Sequence, residues 1–174
     1  MAWSETLAAM LSGGDRRSIG RSAAAVKLVL RQPARFGELM ECLSGENPVL
    51  RMRAADAAEK VSAKKPRLLD RHKAELLGLL ARAEQIELRW HLALMIPRLR
   101  LTAPERQRAR EALEGYLDDR SSIVRTFALE GLAGLARSDV ALRPEVKQLL
   151  RNAVDRGTPA MRARARKLLE QLLD

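Results

Sequence analysis

Residues 118–129 read DDRSSIVRTFAL. Asp119 is followed, after a polar turn, by Val124, Arg125 and Ala128, and the apolar positions then continue to Leu132 and Leu135. That spacing (i, i+4, i+8, i+11) is the stripe of a helix with one buried face. Diluted copies recur along the chain. VLRMRAADAAEKV centres on Arg51, ELRWHLALMIPRL on Arg89, IVRTFALEGLAGL on Arg125 and AMRARARKLLEQLL on Arg162, at separations of 38, 36 and 37 residues. An apolar residue precedes each Arg (Leu50, Leu88, Val124, Met161), and Ala54, Leu92, Ala128 or Ala165 follows three places later. A fainter copy, IGRSAAAVKLVL, places Arg21 only 30 residues before Arg51, so the helix and connection that follow it are shorter.

Between the anchored helices lies a second set. Residues 66–84 carry Leu69, Leu76, Leu77 and Leu80 on one side. Residues 102–119 open with Thr102 and Glu105 at capping-box spacing and with Pro104 in the first turn. Residues 143–156 start in the same way with Pro144. Turn signals SGENP, DDRSS and DRGTP stand before the anchored helix. Helix pairs repeating every ~37 residues, each too small to bury its own apolar face, predict an all-α superhelix, a right-handed solenoid. The expected pairs are 1–32, 33–63, 64–100, 101–138 and 139–174, forming a single repeat domain.

Composition agrees. The chain has 174 residues, 47 % of them apolar but only 3 % aromatic, so the core must be aliphatic. The one cysteine, Cys42, excludes an internal disulfide and a multi-cysteine metal site, and lies in an amphipathic run that suits a packed thiol. No apolar run is long enough to span a membrane, and the N-terminus lacks the basic region of a signal peptide. A cytoplasmic protein without membrane contact is expected. The formal net charge is +10, densest over residues 151–167. Such a charge draws polyanions non-specifically, although solvated Arg on helix faces is the plainer account of it.

The repeat resembles the HEAT family of α-solenoids, including its short bacterial members, over essentially the whole chain as about five helix pairs. In that family an Asp near the inter-helix turn and an Arg at the start of the second helix form ladders between neighbouring repeats. The resemblance implies that Asp119 and Arg125 are ladder residues, joined by Arg51, Arg89 and Arg162. The Asp position reads Gly45, Ala83 and Arg156 in the other copies, which leaves the ladder incomplete.

Solenoids bind on the concave face made by the second helices. Phasing those helices from the core stripe turns Met52, Arg53, Asp56 and Lys60 away from the core in the second pair. The third pair turns out Trp90, His91, Leu94 and Arg98. The fourth turns out Thr126, Phe127, Glu130 and Gly134, and the fifth Ala163, Arg164, Lys167 and Gln171. The expected face has Trp90, His91 and Phe127 at its centre, with Arg53, Lys60, Arg98, Arg164 and Lys167 around them. Two readings of Trp90 fit: a side chain packed between repeats, or an exposed anchor of the kind enriched in binding hot spots.

The function expected from this face is a non-catalytic scaffold for an acidic or extended protein partner. The alternative is nucleic-acid binding. Some HEAT-like solenoids are DNA glycosylases of the alkylation-repair type, whose concave face carries Trp, Asp and Arg. Trp90, Asp56, Arg53 and Arg98 resemble that set superficially. Only one Trp lies on the expected face, however, since Trp3 belongs to the N-terminal helix, and the chain is short for that family. The phycobilin lyases are a further HEAT-like branch, but nothing here marks a bilin site. No cofactor is expected. His72 and His91 sit on different helices without a completing ligand, and no phosphate loop or nucleophile motif is present. His72 reads as a solvated residue on a polar face, and AKKPR (63–67) as a basic turn. The terminal helices, with Trp3, Leu7, Met10 and Leu11 at one end and Leu168, Leu169, Leu172 and Leu173 at the other, are a candidate edge for weak self-association.

Overall fold

The computed structural model describes residues 5–15 and 17–172, and among them every regular element is helical. The ten α-helices are α1 (Leu7–Ser12), α2 (Ser22–Arg31), α3 (Phe36–Ser44), α4 (Pro48–Lys64), α5 (Lys73–Arg82), α6 (Ile86–Met95), α7 (Ala103–Gly115), α8 (Ser122–Ser138), α9 (Arg143–Arg156) and α10 (Pro159–Gln171). Single-turn 3₁₀ segments at Pro33–Arg35, Ile96–Arg98, Tyr116–Asp118 and Val140–Leu142, and a longer one at Pro66–His72, join them. The packing divides into two compact units, Met1–Lys73 and Ala74–Asp174.

The anchored helices α4, α8 and α10 start where the turn signals put them, and a short polar side chain closes each of these three starts, whereas α6 opens at Gln85 without a side-chain cap. Asn47 accepts from the Val49 and Leu50 N–H groups, Ser121 from Val124, and Thr158 from Met161. The Thr102–Glu105 capping box forms in full. Each of these partners satisfies one of the backbone donors that a helix leaves unpaired in its first turn. Residues 66–84 depart from the single helix that the sequence suggests. Their first seven residues wind as 3₁₀, and the α-helix begins only at Lys73. The tighter winding puts positions three apart on one edge. Leu69 is fully buried there, and His72 is half-buried, tilted against the Phe36 ring at 5.8 Å, rather than solvated.

In the first unit α4 is the centre. It packs on α1, α2 and α3, and Ala54, Ala55, Ala57, Ala58 and Val61 are all without exposure. Small side chains all round let three helices close on it, so α4 has no broad solvent face. The N-terminus of α1 is clamped by Glu38, which accepts the Leu7 N–H at 2.9 Å and pairs with Arg35. Arg35 and that N–H hold the Glu38 carboxyl below the usual range against the opposing effect of burial. Burial pushes the Cys42 thiol up, as suits a packed thiol.

In the second unit the helices that carry the repeat stack on one another: α6 on α8 and α8 on α10, with α7 against α8 and α9 against α10. Val124, Ala128, Leu132 and Leu135, the stripe of the opening stretch, are all buried. Two glycines set the closest approach. A Cβ on Gly131 would lie 2.7 Å from the Ala93 carbonyl oxygen of α6, and one on Gly134 would lie 2.6 Å from Pro97 Cβ.

At the termini, Leu7, Met10, Leu11, Leu168 and Leu172 are buried within their own units and Leu169 is half-buried. Trp3 and Leu173 lie outside the described residues.

Candidate functional site

Because α6, α8 and α10 stack, residues one repeat apart become neighbours in space. Trp90, Phe127 and Arg164 are successive positions 37 residues apart, one on each helix. The Trp90 and Phe127 rings stack at 5.1 Å with an interplanar angle of 25°. The Arg164 guanidinium carbon lies 5.4 Å from the Phe127 centroid, within cation–π range. All three side chains are half-buried. Trp90 is therefore both of the things the sequence left open, packed between helices and partly exposed. It also stacks on His91, with centroids 3.4 Å apart.

Beside this row, α8 and α10 form a groove of about 370 Å³ lined by Ser122, Ile123, Phe127, Ala163, Arg164 and Lys167 among others. Its floor is apolar and its rim cationic. Ile123 stands 54 % exposed at the edge, and Lys167 is exposed. Arg164 is tied to Glu130 of α8 at 2.5 Å. A second groove of about 290 Å³ runs between α6 and α8 and holds Arg98, Glu130 and Arg137. Arg98 is half-buried there, and Arg137 donates to the Gln171 side chain at 2.7 Å.

Four expected outward residues are buried. Arg53 has no exposure at all. Its guanidinium donates to the carbonyl oxygens of Leu11 (2.7 Å), Asp15 (2.6 Å), Ser18 (3.0 Å) and Gly13. The cause is the all-round burial of α4, which leaves that position facing the loop after α1. Gly20, at φ 56, suits the loop's close approach to the guanidinium, because a Cβ there would meet Arg53 Cζ at 3.0 Å. His91 is 2 % exposed with Nδ1 at 2.5 Å from the Glu87 carbonyl oxygen, and Thr126 is 7 % exposed with its hydroxyl donating to the Ser122 carbonyl. Gly134 is buried as well. Asp56 accepts from the Ser22 hydroxyl and from Lys60, the latter at 2.8 Å. Arg53 is thus removed from the set that resembles a glycosylase face, and Asp56 is already engaged.

The residues expected in a ladder find different partners. Asp119 pairs with Arg89 of the preceding repeat helix and accepts the Ser121 N–H at 2.7 Å. It does not pair with Arg125, whose Nε is buried without a partner, as is that of Arg51. Burial works to raise the Asp119 pKa, but the Ser121 N–H and Arg89 outweigh it and hold the carboxyl below its ordinary value. The anchor arginines share another task. Arg51, Arg89 and Arg162 each donate back to a carbonyl in the turn before their own helix, at Glu46 (3.3 Å), Ala83 (2.6 Å) and Gly157 (2.8 Å). This explains why the Asp position tolerates Gly45 and Ala83: the backbone supplies the acceptor.

Several bridging residues escaped the sequence reading. Arg106–Asp139 at 2.9 Å and Arg110–Glu145 at 2.7 Å tie successive helix pairs. Tyr116 donates to the Leu80 carbonyl at 2.6 Å under the Arg89 guanidinium, and burial pushes its phenol up to about 12. An Arg and an acid roughly one repeat apart was the available signal.

Compared with known protein families and with curated proteins, the chain matches none of them. Among the described residues, no group of three His, Cys, Asp or Glu side chains could hold a metal ion, and no helix is long and apolar enough to cross a membrane.

Proposed function

We propose that the protein is a non-catalytic interaction scaffold, a HEAT-type α-solenoid of the cytoplasm that receives an extended, acidic protein segment along its stacked repeat helices. One observation carries this reading: the row Trp90–Phe127–Arg164 beside an open groove with an apolar floor and a cationic rim. An apolar side chain of the partner would seat against Phe127 and Ile123, and a neighbouring carboxylate would meet Lys167 and Arg164. Half-buried aromatic and Arg side chains at the centre of a groove are the usual anchors of such contacts. The net charge of +10 would speed encounter with an acidic segment.

Nucleic acid would be drawn by the same charge. Binding of single strands relies on open aromatic faces for base stacking. Here Trp90 already stacks on His91 and Phe127, and Phe127 already meets Trp90 and Arg164, so part of each ring is engaged. This favours a peptide over bases.

The test is fluorescence anisotropy with a labelled peptide of alternating Leu and Glu, its Leu–Gln analogue, and labelled single-stranded DNA and RNA, at low and near-physiological salt. The acidic peptide is expected to bind at near-physiological salt and to weaken about tenfold in Phe127→Ala. Nucleic acid that binds more tightly at that salt, and is lost in the same variant, would replace this reading with the nucleic-acid one. Absence of peptide binding at either salt would end it.

A further inference from the structure

The groove contains its own carboxylate competitor. Arg164 is the rim residue closest to the aromatic row, yet it is not free: Glu130, four residues on from Thr126 on α8, holds it at 2.5 Å. The pair is open to water, with 38 % of the Arg164 side chain and 25 % of the Glu130 side chain exposed. Ion pairs that open are held weakly, so a ligand can exchange for one partner. The two residues also face different ways. Arg164 lines the α8–α10 groove, whereas Glu130 lines the α6–α8 groove with Arg98 and Arg137. Among the described residues, Arg137 engages the neutral amide of Gln171. A displaced Glu130 carboxylate would still share its groove with Arg137, which lowers the cost of displacement.

We infer that Glu130 is a built-in pseudo-ligand: it occupies on Arg164 the place that a partner's carboxylate takes, and binding in the α8–α10 groove exchanges one carboxylate for the other. This inference rests on reading that groove as the site for an acidic segment. Its consequence is selectivity. A neutral segment gains nothing from Arg164, which stays with Glu130. An acidic one releases Glu130 and takes the guanidinium that lies over Phe127.

The experiment titrates the Leu–Glu peptide and its Leu–Gln analogue into the full chain, the variants Glu130→Gln, Glu130→Asp and Arg164→Gln, and the double variant Glu130→Gln/Arg164→Gln, with far-UV circular dichroism on each. Glu130→Gln is expected to tighten the acidic peptide about fivefold and to leave the neutral one unchanged. Glu130→Asp keeps the net charge but withdraws the carboxylate by one methylene, so it should tighten in the same direction by less. The double variant should show no gain over Arg164→Gln alone. If wild type binds the acidic peptide and neither Glu130 variant binds it more tightly, the competitor role is refuted while the groove reading stands. A gain that survives in the Arg164→Gln background marks a general charge effect and refutes it too. If neither wild type nor Glu130→Gln binds the acidic peptide, the groove reading fails and the inference falls with it.

Discussion

Replacing Gly131 by Ala should destabilise the protein, against the ordinary preference of helices for Ala. Gly131 lies in the middle of α8, where the intrinsic gain from Gly to Ala is about 1 kcal/mol. The added methyl would sit 2.7 Å from the Ala93 carbonyl oxygen and 3.1 and 3.2 Å from the two Leu113 methyls. Leucine methyls can yield by rotation, but a backbone carbonyl inside α6 cannot, so α6 and α8 must separate by several tenths of an ångström. Overpacking of this kind costs about 1–3 kcal/mol, and the shift also loosens the contacts around it. The net expectation is a loss of about 1 kcal/mol, hence a midpoint about 2–4 °C lower for a chain of this size. Gly37→Ala is the matched control, because nothing lies within 4 Å of a Cβ there, and it should stabilise by up to about 1 kcal/mol. Urea denaturation followed by circular dichroism reads both, through the midpoint at unchanged slope. Trp90 emission should change in Gly131→Ala as its stack on Phe127 opens. A Gly131→Ala protein at least as stable as wild type would refute the argument that glycine sets the α6–α8 distance, and with it the account of how Trp90 reaches Phe127.

Arg53→Met should cost on the order of 3 kcal/mol, since it strands four inward-facing carbonyls that the guanidinium now satisfies; faster proteolysis within residues 13–20 checks it, and an unchanged cleavage rate would contradict it. Asp119→Asn removes the charge that faces Arg89 while keeping an oxygen for the Ser121 N–H, and should cost about 1 kcal/mol at neutral pH. Because the folded carboxyl titrates below its ordinary value, its stabilisation is present above the unfolded pKa and is lost as pH falls through the folded one. The gap between wild type and variant should therefore be full at pH 7, begin to narrow at about pH 4 and close only as pH falls through the lowered folded pKa, measured by urea midpoints across that range.

The helices were legible because each carries its evidence locally. The stripe of Val124, Ala128, Leu132 and Leu135 has a helical period, Thr102 and Glu105 stand at cap spacing, and Asn47, Ser121 and Thr158 lie in polar turns; none of these depends on a distant partner. The aromatic row was half legible. Trp90 and Phe127 could be phased to one face, but their stacking, and Arg164 over Phe127, required the repeat helices to touch. Arg53 was misread because phasing assigns a charged side chain to solvent. The Ala-rich surface of α4 hinted that it would be covered on all sides, but only the positions of α1, α2 and α3 showed it. Asp119 was assigned its role in a ladder and not its partner, since a carboxylate in a turn is equidistant in sequence terms from several arginines.

The amino-acid sequence by itself determined an all-helical chain, the order and approximate length of its helices, and an aliphatic core, because these follow from short-range periodicity and composition. Tertiary structure alone decided which charges are spent inside, which meet one another, and which stay exposed. Those choices depend on approach distances of a few ångströms between α6, α8 and α10, set by side chains as small as Gly131, and a period of 37 residues carries no distances.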